Sequence, residues 1–496
     1  MCGIFGAISV KKNQNTADMT YRGLSGLQHR GQEAAGISIS NGKKITTKKG
    51  TGWVSHVFNK EILDNMEGNL GIGHNRYGTT GGSTEKNAQP FNKKGNYEIA
   101  LAHNGNLVNT KKLRAELEKE GASFDSSSDS EVIAEMIARS KKPTIEKAVA
   151  DVCTKIRGAY SLLILTNDKI IAVRDPNGIR PLCLGYRGSQ NNPDFYFLAS
   201  ETSAFNVTGA HYIRDIQPGE ILSINAQGRR SYRLPAAADP KLCIFELIYL
   251  ARPDSVFHIT RPDGKTVPIG IYQARVNMGV QLAMENIGDC DLNLVAPVPD
   301  SGIPAAIGFA KESKIPYGQA YTRDRYYAER TFINPDQKSR KEGVLQKLFP
   351  LADQLYNVRL AIIEDSIVRG TTLGVLVRAA KEAGACEVHA RISSPQYRYP
   401  CYLGIDTPEK EKLIASYMDD DEIAEHVSAD SVKYLSIEGL IKAIGIPKSC
   451  FCCACFDGKY PVEINEANND KLVLEKTAEP ILVEEEKTSE PQPVLF

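Results

Sequence analysis

The stretch VRLAIIEDSIVRGTTL (358–373) joins a buried-strand pattern to a polar turn and a helix-like segment, 373–383. Its apolar run, 360–363, has the length and branching of a buried strand, and the two carboxylates Glu364 and Asp365 follow directly. The turn then contains Ser366, Arg369, Gly370, Thr371 and Thr372. Its N–H groups and hydroxyls can surround a phosphate at the helix N-terminus, whereas the carboxylates suit Mg²⁺ or sugar hydroxyls. A solvated acidic turn without a ligand is the alternative interpretation.

This turn resembles the phosphoribosyl diphosphate (PRPP) binding loop of the type I phosphoribosyltransferases. The resemblance implies that the paired acids contact the ribose hydroxyls and that the turn holds the 5-phosphate. Many members have two aspartates here. This chain has Glu364 in the first place, which keeps the charge and lengthens the side chain.

Length and composition predict a globular protein of two or three domains, since the chain has 496 residues, 42% apolar and 24% charged. The formal net charge of zero gives no electrostatic reason to expect nucleic acid or a membrane as partner. No apolar run is long enough to span a bilayer, and the start MCGIFGAISV lacks signal-peptide features. We therefore expect a cytoplasmic location, where the 11 cysteines serve as core, catalytic or metal residues.

Cys2 directly follows the initiator Met1. Loss of Met1 would leave Cys2 with a free α-amino group whose reference pKa is about 8, so the amine could serve as the base for its own thiol. Only Met1 precedes Cys2, and we expect methionine removal to suffice for maturation. An incidental cysteine at the second position is the alternative.

Four further motifs follow Cys2, namely LQHRGQEAAGI (27–37), GIGHNRYGTTG (71–81), LAHNGNL (101–107) and SSSDSEVIAEMI (126–137). Strand-like runs surround them, for example 159–165 and 170–173. The set resembles the class II glutamine amidotransferase domain over residues 2–235. That resemblance implies an α+β N-terminal-nucleophile glutaminase fold, with stacked antiparallel sheets between helices.

The resemblance also implies roles for individual residues. Cys2 attacks the glutamine side-chain amide, and Asn104 with the N–H of Gly105 forms the oxyanion hole. Arg76 binds the substrate α-carboxylate, Asp129 binds its α-ammonium, and Arg30 helps to order the site. Surface charges and a plain turn at 104–105 are the alternatives. We interpret three histidines as structural, because the free amine makes a histidine base unnecessary: His29, His74 and His103.

Residues 228–240, rich in Pro and small side chains, are predicted to be a linker to a second domain, 236–462. There a helix (271–287), a strand (293–298) and an Asp-Ser-Gly turn before 302–310 begin an alternating pattern that predicts an α/β, mainly parallel sheet. The segment 323–349 is dense in Arg and Lys. A solvated loop is one interpretation of it. The other is a lid that covers a polyphosphate and excludes water, and its Arg-Thr-Phe-Ile run (330–333) resembles the mobile loop of the family.

Together, both halves resemble the glutamine PRPP amidotransferase family, from Cys2 to about Pro461. The resemblance implies a class II glutaminase joined to an α/β type I phosphoribosyltransferase domain, with Mg²⁺ at Ser301, Glu364 and Asp365. The segment VFHITRPDGKTVPIGIYQAR (256–275) departs from the family because it is longer than usual. It could change a subunit contact or the route between the sites. The tail, 463–496, is polar and predicted to be flexible.

Four cysteines crowd the segment KSCFCCACFDGKYP (448–461): Cys450, Cys452, Cys453 and Cys455. This density indicates a metal or iron–sulfur site, with zinc as the competitor. The resemblance to the iron–sulfur subset of the family implies 4Fe-4S ligands at Cys243, Cys401, Cys452 and Cys455, although a shifted assignment among the late cysteines stays open. The remaining cysteines are predicted to lie in the core: Cys153, Cys183, Cys290 and Cys386.

The resemblance implies the function of a glutamine-dependent amidophosphoribosyltransferase of purine synthesis. It releases ammonia from glutamine at Cys2 and uses it to displace pyrophosphate from PRPP, giving 5-phosphoribosylamine. The family also implies a homotetramer and inhibition by purine nucleotides. Two alternatives are a glutamine-dependent sugar-phosphate aminotransferase, which the 364–372 loop disfavours, and a PRPP-binding regulator with an inactive glutaminase. PRPP-dependent release of glutamate would separate the three.

Overall fold

Two stacked antiparallel sheets form the first half of the chain in the computed structural model, which describes residues 1–11, 15–78, 82, 84–234, 239–286, 288, 290–324, 348–407, 409–464 and 474. The first sheet contains, in spatial order, His211–Asp215, Cys183–Ser189, Asn192–Ala199, Gly3–Ser9, Leu70–Arg76, Ala34–Ser40 and Ile45–Thr51. The second contains Gly228–Arg233, Glu220–Asn225, Ile170–Arg174, Gly158–Leu165, Glu98–Leu107 and Phe91–Lys94. The strands predicted over 159–165 and 170–173 are confirmed.

Alternating side chains explain the stacking, because each strand sends every second residue into the layer between the sheets. Ile4, Ile72 and Leu163 are examples of this inner layer. Helices cover the outer faces: Thr16–Gly26, Val54–Val57, Lys60–Asp64, Thr110–Lys119, Asp129–Arg139, Ile145–Lys155 and Ser203–Thr208. The predicted N-terminal-nucleophile architecture is confirmed.

A four-stranded parallel sheet organises the second half, with the order Leu294–Pro297, Arg359–Glu364, Glu387–Ile392 and Ser431–Tyr434. The first three strands are almost fully buried, whereas the edge strand Ser431–Tyr434 is mostly half-buried. Nearly continuous apolar sequences predict this burial for the first two strands. Its helices are Ile271–Asn286, Ile303–Ser313, Ala352–Leu355, Thr371–Glu382, Asp420–Val427, Ile437–Ile444 and Ala454–Asp457. The predicted strand 293–298 and the predicted helix 271–287 are therefore confirmed to within a residue or two.

Three two-stranded pairings complete the second half: Leu242–Cys243 with Phe451–Cys452, Val256–Thr260 with Thr266–Gly270, and Tyr321–Arg323 with Leu348–Pro350. A single π-helical turn, Glu246–Leu250, follows the first of them. Within the described ranges, no helix combines the length and apolar character needed to cross a membrane.

The linker predicted over 228–240 is wrong for its first six residues. Gly228–Arg233 pairs with Glu220–Asn225 as an edge strand of the second sheet, because the turn at 225–228 lets the chain fold back on itself. Residues 235–238 lie outside the described residues, as does most of the tail. Of the tail, the structure describes 463, 464 and Leu474, and Leu474 is buried.

Candidate active sites

A pocket at the end of the first sheet gathers most of the residues predicted to handle glutamine. The register that sets Gly3 opposite Asn75 brings Cys2 beside Arg76. Cys2, Arg76, Gly105 and Asp129 all line this pocket. The remaining lining residues are Tyr77, Gln89, His103, Ser128 and Ser130.

Asn104 and Gly105 lie on the strand Glu98–Leu107, opposite Ser161 and Tyr160. The Asn104 side chain is fully buried, and neither its amide oxygen nor its amide nitrogen has a hydrogen-bond partner within the described part of the chain. A buried amide without partners is costly, so it is suited to a polar ligand. Gly105 has a φ of +153°, and a Cβ there would lie 2.0 Å from the carbonyl oxygen of Ala159. The backbone at this position therefore requires glycine.

Arg76 and Asp129, the two residues predicted to bind the substrate, are held in place by neighbouring groups. Arg76 donates to the carbonyl oxygens of Asn87 (2.6 Å) and Gly82 (3.2 Å), and its Nε lies 3.8 Å from Glu33 Oε2. Asp129 accepts the Leu107 N–H at 3.0 Å. Both groups lie in the pocket wall, and their contacts with a substrate stay predictions.

The three histidines differ in their surroundings. His74 and His103 are buried, and burial lowers the pKa of both, so they are neutral at neutral pH. His103 contacts Ser130 Oγ through Nδ1 at 3.0 Å and lines the pocket, whereas His74 contacts the His103 carbonyl at 3.2 Å. His29 lies 2.9 Å from Glu201.

Arg30 contacts the backbone of the nucleophile candidate. Its Nε donates to the Cys2 carbonyl at 2.9 Å, and its guanidinium also pairs with Glu201 and with Glu246 of the second half. Met1 is in place and buried. Burial lowers the pKa of its terminal amine to about 5, with Arg30 adding to the effect and the Cys2 thiol opposing it.

The predicted PRPP loop lies at the carboxyl end of the central strand Arg359–Glu364, beside the helix Thr371–Glu382. Gly370 has a φ of +69° and starts that helix, which glycine permits without strain. Ser366 donates to Asp365 at 2.5 Å. The other loop side chains, Arg369, Thr371 and Thr372, are partly exposed around the helix N-terminus. The structure thus brings the predicted loop residues together at one edge of the sheet.

Glu364 and Asp365 are both buried next to each other, and within the described residues neither carboxylate has a hydrogen bond from a cationic side chain. Burial, followed by the adjacent charge of Asp365, raises the pKa of Glu364 well above its ordinary value. Ser301 donates to Glu364 Oε1 at 3.3 Å from the neighbouring strand end. Two carboxylates and a hydroxyl are the hard oxygen ligands that Mg²⁺ prefers, so the residues predicted for this ion fit it.

Most of the predicted lid lies outside the described residues, which include only 323, 324, 348 and 349 of its segment. The pairing of Tyr321–Arg323 with Leu348–Pro350 joins the two ends of the segment. Arg323 pairs with Asp300 in the Asp-Ser-Gly turn.

The four cysteines predicted as cluster ligands lie close together in the second half. Cys243 is the register partner of Cys452. Burial raises the pKa of Cys455 well above its usual value, and the charges of Cys243, Cys452 and Cys401 raise it further. Four neighbouring thiols match the donor chemistry of an iron–sulfur or zinc site. In the conformation described, no three His, Cys, Asp or Glu side chains of the described residues converge on one metal position.

The other cysteines are less uniform than predicted. Cys450 lies near Lys241 and Arg261 rather than among the four thiols. Cys153 and Cys183 are core residues, as predicted. The same prediction is wrong for Cys386, which is exposed and donates to Asn357, and for Cys290, which is only partly buried. A lone cysteine in the sequence carries no signal of its exposure.

Two residues near the first site had no predicted role. Gln89 lines the pocket, accepts the His103 N–H at 2.8 Å and donates to Ser130 at 3.0 Å, and its position before Pro90 offered no functional signal. Glu246 lies outside the pocket but contacts Arg30. Its signal is a single acid within the apolar run 244–250, because such an acid needs a buried partner.

Comparisons with known proteins agree with both halves. A glutamine amidotransferase domain family matches residues 74–207. The amidophosphoribosyltransferase of Synechococcus elongatus is 45% identical over 96% of this chain and 94% of its own length, and that of Bacillus subtilis is 44% identical over 93% and 94%. The solved structure of glutamine PRPP amidotransferase from B. subtilis, complexed with ADP and GMP, is 42% identical, with a TM-score of 0.83 over 94% of this chain and 98% of that one.

A glutamine amidotransferase domain followed by a parallel sheet with a PRPP-type loop defines a glutamine-dependent transferase of phosphoribosyl groups. Sequence identity above 40% with these relatives, over almost the whole length of the chain, makes the family assignment specific. The chain belongs to the amidophosphoribosyltransferase family, whose reaction is the first step of purine biosynthesis.

Proposed function

We propose that Cys2 is the nucleophile that releases ammonia from glutamine, and that the loop 364–372 holds the PRPP that accepts it. One observation carries the proposal. Cys2, Arg76, Gly105 and Asp129 line a single pocket, and the partnerless amide of Asn104 lies on the strand that carries Gly105. A thiol, a cation, an anion and oxyanion donors are the groups that glutamine hydrolysis requires.

After removal of Met1, the free amine of Cys2 takes the thiol proton, and the thiolate sulfur attacks the side-chain carbonyl carbon of glutamine. Asn104 and the Gly105 N–H stabilise the oxyanion, while Arg76 binds the α-carboxylate and Asp129 the α-ammonium. The C–N bond breaks with proton return to the leaving nitrogen, which releases ammonia and leaves a glutamyl thioester. Water then hydrolyses the thioester to glutamate and restores Cys2.

Ammonia passes inside the protein to the second site and attacks the anomeric carbon of PRPP. The bond to pyrophosphate breaks, and 5-phosphoribosylamine forms. Ser366, Arg369, Gly370, Thr371 and Thr372 hold the 5-phosphate at the helix N-terminus. Ser301, Glu364 and Asp365 would hold Mg²⁺, which would supply positive charge for the departing pyrophosphate.

The four grouped thiols support a structural 4Fe-4S cluster on Cys243, Cys401, Cys452 and Cys455, with zinc as the second candidate. Analysis of iron and acid-labile sulfide after anaerobic purification decides between them. An iron-free, zinc-containing protein would contradict the iron–sulfur assignment.

We also propose a homotetramer in the cytoplasm that purine nucleotides inhibit. Free cysteines at all 11 positions suit a reducing compartment, and the B. subtilis structure contains ADP and GMP. Light scattering tests the subunit number, and titration of the PRPP-dependent rate with ADP and GMP tests the inhibition.

The variant Cys2→Ala tests the division into two sites. We expect loss of PRPP-dependent glutamate release and of glutamine-dependent pyrophosphate release, while pyrophosphate release with added ammonia continues at close to the wild-type rate. Loss of the ammonia-dependent reaction as well would contradict the division. N-terminal sequencing of the purified protein adds a second test, because a chain that still begins with Met1 would leave the thiol without its proposed base.

A further inference from the structure

Glu246 belongs to the second half of the chain but forms a two-point ion pair with Arg30 of the first half. Arg30 Nη1 donates to Glu246 Oε2 at 3.0 Å, and Nη2 donates to Oε1 at 2.9 Å. Both side chains have zero exposure. A buried, bidentate arginine–carboxylate pair fixes both distance and orientation.

The same guanidinium supports the nucleophile candidate. Arg30 Nε donates to the backbone carbonyl of Cys2 at 2.9 Å, and Nη1 also contacts Glu201. Since the guanidinium is rigid and planar, its contact with Glu246 determines where Nε points. Glu246 is thus linked to Cys2 through one intervening side chain, that of Arg30.

Glu246 is itself held in place. Arg275 is buried and donates to the carbonyl oxygens of Leu247 (2.9 Å) and Ala251 (2.8 Å), which fixes the π-helical turn that carries Glu246. Arg180 Nη1 lies 3.5 Å from Glu246 Oε1. In the cluster of Arg30, Arg180, Glu201 and Glu246, two positive charges therefore balance two negative ones.

We propose that Glu246 is a positioning residue for the glutaminase reaction, which acts on Cys2 through Arg30. The proposal rests on the proposed role of Cys2 as nucleophile. It implies that the second half of the chain completes the first active site, because it supplies one of the two carboxylates that orient Arg30. Glu246 lines no part of the glutamine pocket, so it acts without contact with substrate.

Replacement of Glu246 by an uncharged isostere should release Arg30 toward Glu201. Arg30 then loses its fixed angle to the Cys2 carbonyl, and the thiol loses its alignment with the substrate carbon. A misplacement of about 1 Å can cost on the order of 100-fold in rate. Arg76 and Asp129 have no hydrogen bond with this cluster among those described, so binding of glutamine should be unaffected.

The test compares Glu246→Gln with the wild type in the full-length enzyme, with PRPP and Mg²⁺ present. We expect kcat for glutamate release to fall about 10- to 100-fold, with the KM for glutamine changed less than about twofold. The rate at which a glutamine-analogue diazoketone alkylates Cys2 should fall in parallel. The ammonia-dependent rate should stay at the wild-type value, and Glu246→Asp, which keeps the charge, should recover part of the loss.

Glu220→Gln is the matched control, because Glu220 forms an equivalent two-point pair with Arg214 (2.6 and 2.7 Å) on the strand Glu220–Asn225, and neither residue lines the glutamine pocket. This control should lower thermal stability without a change in kcat for glutamate release. The double variant Arg30→Gln/Glu246→Gln should be no slower than Arg30→Gln alone, because the two residues act as one unit.

Unchanged kcat and alkylation rate in Glu246→Gln would overturn the proposal. Equal loss of the glutamine- and ammonia-dependent rates would also overturn it, since it would show a general structural role. Failure of the proposed function is distinguishable from both results, because Cys2→Ala would then retain glutamine-dependent activity whatever Glu246→Gln does.

Discussion

The two candidate active sites differ in how their buried charges are paired. In the first, the buried Arg30 beside Cys2 has opposite partners within the chain, namely Glu201 and Glu246. Burial would raise the pKa of Glu201, but His29 and Arg30 outweigh it and hold that pKa well below its ordinary value. In the second, Glu364 and Asp365 place two like charges side by side, and the pKa of Glu364 is raised.

This difference indicates how each site is completed. Balanced, fully hydrogen-bonded charges keep one arrangement before any ligand arrives, which favours catalysis by preorganised groups. Adjacent buried carboxylates are unfavourable on their own, so we expect their positive partner to come with the ligand, as Mg²⁺. The first site is built by the protein, whereas the second is completed by what it binds.

The second half also supports the first site through its backbone. Asn106 donates to the Tyr402 carbonyl at 2.9 Å. Gly404, with a φ of +110°, packs so closely that a Cβ would lie 3.2 Å from the backbone carbon of Gly105 and 3.2 Å from Arg180. Docking of the halves therefore supports the oxyanion residues as well as Cys2.

The largest expected effect tests the preorganised site. Asn104→Ala removes a buried amide that has no other partner in the described structure, so the folded protein should lose little stability. We expect kcat for glutamate release to fall about 10²- to 10³-fold, as for loss of one oxyanion donor, with the ammonia-dependent rate unchanged. Steady-state assays with the two nitrogen sources measure this. A loss below threefold would show that Asn104 does not contact the developing charge.

The second prediction concerns the site that a ligand completes. Asp365→Asn removes one of the two carboxylates, and we expect both nitrogen sources to lose activity about 10- to 100-fold, by analogy with groups that orient a bound metal. The Mg²⁺ concentration for half-maximal rate should rise. Asp353→Asn, on the partly exposed helix Ala352–Leu355, is the control and should behave as wild type. A loss confined to glutamine would contradict the assignment of Asp365 to the PRPP site.

Local patterns grouped the loop residues of the second candidate site, because these residues are consecutive. Glu364 to Thr372 follow one strand, and the strand's direction alone brings them to one edge. The first pocket draws on residues from 2 to 130, and only the resemblance to a family grouped them. Glu246 escaped prediction because its partner Arg30 is 216 positions away, and no local pattern encodes such a contact. Gly228–Arg233 was wrongly predicted to be a linker, because its pairing with the strand Glu220–Asn225 stabilises it as a strand despite its polar composition.

The third prediction uses pH. The folded pKa of Glu364 lies above its ordinary value near 4.5, so the folded state keeps its proton longer than the unfolded state. The free energy of unfolding without ligand must therefore fall as pH rises above that ordinary value. We expect Glu364→Gln to be more stable than wild type at pH 7.5 by about 1 kcal/mol, or a few degrees in Tm, and equal to it near pH 4.5.

Thermal unfolding in EDTA at the two pH values measures this difference. Glu382→Gln, an exposed residue at the end of the helix Thr371–Glu382, is the control and should show no pH-dependent gain. With PRPP and Mg²⁺ the order should reverse, because the ligand stabilises only the charged site. An equal gain in thermal stability at both pH values would show that the neighbouring carboxylate does not disfavour ionisation of Glu364.

The smallest expected effect lies at the junction of the two halves, in the hairpin Val256–Gly270, which belongs to the segment predicted to be longer than in related chains. Its His258 ring stacks on Tyr212 of the first sheet, with centroids 3.9 Å apart and planes 11° apart. Burial lowers the pKa of His258, so the stacked ring is neutral at neutral pH. The hairpin thus contacts the first half of the same chain.

If the hairpin only fastens the halves, His258→Ala should lower the free energy of unfolding by about 1 kcal/mol, the value of an aromatic pair, and leave both activities unchanged. Tyr212→Leu should cost a similar amount, and the double variant should cost less than the sum because the two rings contribute one shared contact. Differential scanning calorimetry gives the stabilities. A selective fall in glutamine-dependent activity would instead show that this contact helps to align the first site, and would extend the dependence on the second half from Glu246 to the hairpin.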